Sequence, residues 1–289
     1  MITEAEARAA AEQFREEGYA VIRGFAAGDE IAGLQAEARA VYEKGLEHHA
    51  SYRDGNLNFT ILPEADFGQR YVLQAAWMSW ISSVFERFRR NDSFGHLLAQ
   101  ILGPDVKQIA QQIHWKPPGA QVSGYRFHQD IRFRSPEDEK IAEGTVTTGL
   151  AIDRATKENG CLQVLPKSHK LGYLGLSDAG EGYLMKGLTA GEELRAVGLD
   201  PADIISLELE PGDLAVWGLL TVHGSLPNAS ENDRAFLIQS YTRADASERG
   251  EWAFRNGVSE PLGATPKLCK DDRLLSDPGP AYDETAWWR

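Results

Sequence analysis

Cysteine is scarce in this chain of 289 residues, which carries only Cys161 and Cys269. Two cysteines are too few for a disulfide framework or a thiolate zinc site, so both read as free thiols of a reducing compartment. Basic charge is short as well. Thirty Lys and Arg stand against 43 Asp and Glu, a net charge of −13, so a nucleic-acid backbone meets repulsion over most of the surface and is not the expected partner. No run approaches the roughly 18 uninterrupted apolar residues of a membrane span. The opening MITEAEARAAAEQFREEG lacks the apolar centre of a secretory signal, so the expected location is cytoplasmic. What remains is a globular composition, 42% hydrophobic and 25% charged, in a length that suits two ordinary domains or one decorated barrel.

The grammar changes near Pro104. Before it, Thr3 with Glu6 forms a capping-box pattern ahead of an Ala-rich helix ending near Gly18, and YAVIRGF reads as a short strand. A second helix starts after Gly28 and Asp29, with Ile31, Leu34, Ala38 and Val41 at helical spacing. Ser51 to Gln69 shows no sustained period and reads as a loop-rich wall. Trp77, Ile81, Val84, Phe85 and Phe88 predict a helix, and SFGHLLAQILG another. After Pro104, strand patterns dominate: VKQIAQQIHWK, TVTTGLAID, LQVLP, IISLELE, LAVWGLL and RAFLIQSYT, separated by Pro, Gly, Asn and Asp. The expectation is a single domain over residues 1–289, mainly β, with a helical layer over about 1–104 and a catalytic β core over about 105–245. The tail after Ala253, ending in Trp287 and Trp288, reads as irregular structure wrapped on the body.

The chemistry gathers around GYRFHQDIRF, where His128 and Asp130 stand one residue apart. On an extended strand such a pair shares a face, so imidazole and carboxylate can approach one cation. His223, in TVHGSLPN, lies 93 residues beyond Asp130, a gap that a barrel or double sheet would close. Two histidines and one carboxylate make the facial triad that leaves positions open on iron(II). Arg234 follows His223 by 11 residues at the start of a strand. Its planar fork suits a carboxylate held across the pocket from the metal, on a neighbouring strand.

In combination these segments resemble the phytanoyl-CoA dioxygenase-like family of iron(II)- and 2-oxoglutarate-dependent oxygenases. The matching pieces run in the family's order from Gly18 to Tyr241: GYAVIRGF, KPPG at Lys116–Gly119, FHQD at Phe127–Asp130, TGLAIDRATKENGCLQVLPKSH at Thr148–His169, then PGD, VHGS and Arg234. The resemblance implies a double-stranded β-helix, or jelly roll, of cupin-like type. It implies that His128, Asp130 and His223 bind Fe(II), that Arg234 binds the distal carboxylate of 2-oxoglutarate, and that O2 is the second cosubstrate. It points to Tyr125 and to Thr147 or Thr148 as further contacts of 2-oxoglutarate. Gln112, on the same predicted strand face as His114, joins them as a pocket candidate. The implied activity is an oxidoreductase, hydroxylating an aliphatic C–H bond of a small molecule of secondary metabolism.

Two other classes are open at this level: a cupin-type metal oxygenase or isomerase that does not use 2-oxoglutarate, and a non-catalytic metabolite-binding barrel. His114, Lys116, Arg126, Arg132 and Arg134 make a cationic neighbourhood around the proposed metal strand, with two readings open: at least one meets an anionic substrate, or they solvate the barrel exterior and pair with the many carboxylates. His169 reads as a loop-fixing histidine, Asn159-Gly160 as a tight turn, and Cys161 as packing.

Overall fold

Thr3 accepts from the Glu6 amide while the Glu6 carboxylate takes the Thr3 amide, and this capping box opens α1 (Glu4–Glu17). Gly18 closes the helix at φ 81°, and a β-carbon there would come within 2.3 Å of His169 Nδ1. His169 donates through Nε2 to the Arg15 carbonyl at 3.1 Å, pinning its own turn to the end of α1. The computed structural model describes residues 1–118, 124–133, 138–176, 190–265, 267 and 276–283. Gly119, Arg134, Cys269, Trp287 and Trp288 lie outside the described residues.

Beyond α1 the elements are β1 (Tyr19–Ile22), α2 (Asp29–Leu46), β2 (Ser51–Asp54), β3 (Leu57–Leu62), α3 (Glu64–Phe67), β4 (Tyr71–Ala76), α4 (Ser83–Phe88), α5 (Asp92–Ile101) and β5 (Val106–Lys116). There follow β6 (Tyr125–His128), α6 (Glu139–Glu143), β7 (Thr145–Ala151), β8 (Gln163–Val164), α7 (Ala190–Ala196), β9 (Ile205–Ser206) and β10 (Leu214–Gly218). The chain continues through β11 (His223–Ser225), β12 (Arg234–Arg243), β13 (Glu251–Arg255), β14 (Val258–Ser259) and β15 (Ala281–Asp283). A major antiparallel sheet runs β1-β10-β7-β12-β5-β4-β3-β2-β15, with β13 also paired to β5; a minor sheet runs β6-β11-β8-β9.

The major sheet has two buried faces, which is why its strands read as nearly continuous apolar runs. One face packs on the helices: Ile113, Trp115, Val146, Leu150 and Leu237 join Leu34, Phe85, Phe94 and Leu98 in the largest core. The other face meets the minor sheet. Ala215, Trp217 and Phe236 pack there against Leu162, Val164 and Leu207. This is the double-sheet packing of a jelly roll, and strand alternation sends every second side chain of β5, β7, β10 and β12 into the space between the sheets.

Several expectations are corrected. Ser51 to Gln69 is not a loop wall but the hairpin β2–β3 followed by α3; Phe59 and Ile61 enter the helical core while Leu62 packs with Leu73 on the other face, so burial of both faces erases the alternation. The helix expected from Trp77 is broken: Trp77 sits at φ 54°, a 3-10 turn spans Met78–Trp80, and α4 begins only after Ser82 caps the Phe85 amide. Ile81, counted to the apolar stripe, is 41% exposed. IISLELE yields only the two-residue β9. The layer before Pro104 also contributes β1–β4 to the major sheet, and the tail after Ala253 supplies β14 and the edge strand β15, paired with β2.

Candidate active site

β6 and β11 are neighbours in the minor sheet, with His223 opposite His128 in the register. β6 ends at His128, and Asp130 opens a 3-10 turn spanning Asp130–Phe133. The pair therefore does not share a strand face as expected; the turn folds Asp130 back toward the end of its own strand. Asp130 Oδ1 lies 3.5 Å from Nε2 of His128 and 3.5 Å from Nε2 of His223. Among the described residues these three form the one group of histidine, cysteine or acidic side chains placed to share a metal, with donor atoms within 4.8 Å of one another.

The backbone fixes which ring nitrogens face inward. His128 Nδ1 is 2.7 Å from the Arg126 carbonyl and His223 Nδ1 is 2.9 Å from the Thr221 carbonyl. A carbonyl only accepts, so both Nδ1 atoms carry hydrogen and both Nε2 atoms are turned toward Asp130. Asp130 is oriented too: Thr147 Oγ1 and Trp217 Nε1 each donate to Oδ2 at 3.2 Å, leaving Oδ1 to the histidines. Burial opposes the Asp130 charge, but attraction to His223 and hydrogen bonds with both histidines outweigh it and hold the carboxyl well below the usual carboxylate range. Burial and repulsion from His223 pull His128 down, while for His223 the pull of Asp130 outweighs burial and raises it. The site favours positive charge between these donors.

Arg234 opens β12 opposite Lys116 at the end of β5. It lies in the major sheet, not on the strand beside His223, and reaches the pocket from across the sheet-to-sheet space. Arg234 is 3% exposed; its guanidinium lies 4.6 Å over the Phe236 ring, and its Nε is a buried donor with no hydrogen-bond partner among the described residues. Burial pulls its pKa down to about 10. Lys116 is fully buried; burial and repulsion from Arg234 hold it well below an ordinary lysine. Its ammonium donates to Ser225 Oγ at 2.7 Å and the Leu226 carbonyl at 2.5 Å, and stands 5.4 Å over the Tyr125 ring. Among the described residues neither cation is in salt-bridge contact with a carboxylate, Asp153 acting on Arg234 only at longer range, so the pocket is short of negative charge, and an unpaired buried charge is costly. Gly160, at φ 78°, makes room: a β-carbon there would meet the Leu226 carbonyl oxygen at 2.2 Å and Lys116 Nζ at 2.9 Å.

Tyr125 and Gln112 are drawn together through His114, which lies 2.7 Å from the Tyr125 hydroxyl and 2.9 Å from Gln112 Oε1. Thr147 and Thr148 part company. Thr147 faces Asp130, whereas Thr148 points to the helical face and donates to the Gln239 carbonyl at 3.1 Å, because successive strand residues alternate. Of the cationic neighbourhood, Lys116 and His114 point inward, while Arg126 is ion-paired with Glu193 of α7. Arg132 stacks on Phe133, whose ring lies 5.9 Å from that of His128. Sequence reasoning missed Trp217 and Ser225. Ser225 carries a signal, since it follows His223 by one strand repeat, whereas Trp217 is set opposite Thr147 only by the register.

Residues 14–236 match the family model described as phytanoyl-CoA dioxygenase. A curated relative from Stutzerimonas stutzeri, named a probable alpha-ketoglutarate-dependent hypophosphite dioxygenase, is 30% identical over 165 residues, which cover 54% of this chain and 52% of that protein. The chain spans about half the length of this and similarly related curated proteins. A phytanoyl-CoA dioxygenase of Arabidopsis thaliana is 25% identical over 285 residues, covering 88% of this chain and 95% of that one. Among solved structures, that of EctD from S. alaskensis with 2-oxoglutarate and 5-hydroxyectoine superposes with a TM-score of 0.63 at 20% identity, over 90% of this chain and 86% of that one. That likeness carries the fold.

Proposed function

Because the chain belongs to the phytanoyl-CoA dioxygenase family, we propose that it is an Fe(II)- and 2-oxoglutarate-dependent dioxygenase that hydroxylates an aliphatic C–H bond of a small specialised metabolite. The carrying observation is that β6 and β11 join two groups: three convergent donors on His128, Asp130 and His223, and, through Tyr125 and Ser225, the buried Lys116 ammonium and the Arg234 guanidinium, whose Nε has no hydrogen-bond partner among the described residues. Both halves fit the groups the family implies. Two neutral imidazoles and one carboxylate suit iron(II) and leave positions open. The orphaned Arg234 Nε and the Lys116 ammonium suit the far carboxylate of a dicarboxylate.

In this reading His128 Nε2, Asp130 Oδ1 and His223 Nε2 hold the metal, and Arg234 with Lys116 holds the distal carboxylate of 2-oxoglutarate. Iron(II), 2-oxoglutarate and O2 together supply an oxidation that yields succinate and CO2 and places one oxygen atom in a substrate C–H bond. The chain's own residues position and exclude. Thr147 and Trp217 keep Asp130 Oδ2 engaged so that Oδ1 is the free ligand atom. The carbonyls of Arg126 and Thr221 lock the histidine tautomers. Trp217, Phe236, Val164 and Leu162 line the space between the sheets and keep it dry. Thr148, on the far face, is left out of the assignment, and Tyr125 enters it through its place beside Lys116.

Anaerobic calorimetry on protein loaded with Mn(II) tests this directly. Mn(II) should bind the wild-type chain once and fail to bind His223→Ala, and 2-oxoglutarate should bind only the metal-loaded form. With Fe(II) and air, a metabolite screen should give succinate and a hydroxylated product together. Turnover that needs O2 but not 2-oxoglutarate would favour the cupin-type alternative, and a metal-loaded chain that takes up no 2-oxoglutarate would overturn the assignment.

A further inference from the structure

Gln112 and His114 share the inward face of β5, two residues apart, and Tyr125 reaches them from β6 in the opposite sheet. The three side chains form one hydrogen-bonded row. Gln112 Oε1 lies 2.9 Å from His114 Nε2, and His114 Nδ1 lies 2.7 Å from the Tyr125 hydroxyl. The rings of His114 and Tyr125 meet edge to face, with centroids 5.4 Å apart. His114 is only 8% exposed, so the row is a built feature of the interior and not a surface contact.

The Gln112 end sets the direction of the row. A carboxamide oxygen only accepts, so His114 Nε2 carries hydrogen and donates to Gln112. With the ring neutral, its lone pair is on Nδ1 and receives the Tyr125 hydroxyl proton. The single proton of Tyr125 is thereby committed to His114, and Tyr125 turns toward the Lys116 and Arg234 side of the cavity as an aromatic face and an acceptor oxygen. At the other end, the Gln112 amide nitrogen keeps two N–H donors that no described residue accepts. Gln112 faces Ile238 of β12 and Ala76 of β4 in the register. Ser240, one strand repeat from Ile238, contacts Thr147 and so the triad. The amide nitrogen therefore lies on the inward face, beside the stretch of β12 that runs from Ile238 to Ser240 and Thr147.

We propose that Gln112 is the substrate-recognition residue of this site and that His114, fixed by Tyr125, is the positioning residue that aims it, so that the pocket selects metabolites carrying an oxygen acceptor. Carboxylate, phosphonate, carbonyl and amide oxygens qualify; an amine or bare hydrocarbon does not. This proposal rests on the dioxygenase reading and adds the substrate class to it. It also moves Gln112 from the cosubstrate, where its nearness to His114 had suggested it belonged, to the substrate. A donor held at its other end by two successive hydrogen bonds has lost its rotational freedom before binding, which is how a single hydrogen bond acquires selectivity.

The test uses the full chain loaded with Zn(II) and 2-oxoglutarate under nitrogen. Saturation-transfer NMR reads binding of a panel of small carboxylates, phosphonates and carboxamides, each matched with the amine or hydrocarbon of the same skeleton. Binding should concentrate in the acceptor-bearing members. Gln112→Leu should weaken those members by about tenfold or more, and His114→Phe should do the same with Gln112 intact. In both variants 2-oxoglutarate affinity by calorimetry should stay within about twofold, which also reports that they fold. Long-range 15N–1H correlation spectra should show His114 protonated at Nε2 and not Nδ1, with the Nδ1 signal moved by Tyr125→Phe. Binders found mainly among the amines, no acceptor-bearing binder on a chain that takes up 2-oxoglutarate, or an Nδ1-protonated His114 would each overturn the proposal. Equal loss of 2-oxoglutarate affinity in Gln112→Leu would return that residue to the cosubstrate and overturn it as well. Failure of the wild-type chain to take up 2-oxoglutarate would instead remove the dioxygenase reading beneath it, a result seen before any panel member is added.

Discussion

Trp217 and Thr147 both donate to Asp130 Oδ2, and each has a clean replacement that removes the donor and little else. Trp217→Phe should lower Mn(II) affinity by about 10- to 100-fold, the usual cost of losing a hydrogen bond that orients a metal ligand, while the circular dichroism of the chain is unchanged. Arg234→Ala removes the guanidinium from a buried pocket; 2-oxoglutarate binding to the metal-loaded chain should fall by about 10²-fold or more, with Mn(II) affinity in the absence of 2-oxoglutarate close to wild type. Calorimetry separates the two. Gly160→Ala asks a β-carbon to occupy space already held by the Leu226 carbonyl and Lys116 Nζ, at a positive φ. We expect a loss of about 1–3 kcal/mol in urea unfolding together with weakened 2-oxoglutarate binding, because the clash falls on Lys116. The histidines, Asp130 and Arg234 were legible from residue type and spacing. Trp217 was not, since a tryptophan in an apolar strand looks like packing until the register sets its indole N–H against a carboxylate.

Among the elements, helices with capping signals were the easiest to read, and α1 is the clearest. Its Thr3 hydroxyl and Glu6 carboxylate satisfy amides that the first turn leaves open, so Thr3→Ala should cost about 1 kcal/mol in denaturant unfolding. A drop well beyond that would mean that the start of α1 also anchors its packing on α5. Strands with two buried faces were the hardest. β3 and β4 carry apolar residues on both sides because one side meets the helices and the other meets the space between the sheets, so no period marks them. The break at Trp77 was hidden for a related reason. A helical spacing of aromatic residues is also produced by a left-handed residue followed by a short 3-10 turn, and only backbone geometry distinguishes the two.

For the molecule as a whole, the major sheet is the scaffold and the minor sheet brings His128 and His223 to it. β6 and β11 carry the histidines, while Trp217, Thr147, Lys116 and Arg234 come from the major sheet, so metal and 2-oxoglutarate should clamp the two sheets together. Ligands that bind the folded chain alone stabilise it by mass action. Mn(II) with 2-oxoglutarate, each at about 100 times its dissociation constant, should raise the unfolding free energy by more than Mn(II) alone, and Arg234→Ala should erase the second increment and keep the first. Thermal unfolding followed by fluorescence reads both. No helix among the described residues is long and apolar enough to cross a membrane.

The order of segments, the residue types of the triad and the presence of a distant arginine were determined by the sequence alone, because metal and carboxylate chemistry demands particular side chains and leaves them conspicuous in an otherwise apolar strand. Tertiary structure decided the rest. It set Asp130 on a turn instead of a strand, put Arg234 in the sheet opposite His128 and His223, chose Thr147 over Thr148 for the inner face, and buried Lys116 against Ser225. Each of these depends on which strands become neighbours and in what register, and a one-residue change in register exchanges the inner face for the outer. That choice is made by contacts between segments far apart in the chain, as in the bond from the Thr221 hydroxyl to the Gly18 carbonyl across 203 residues, and local pattern does not contain it.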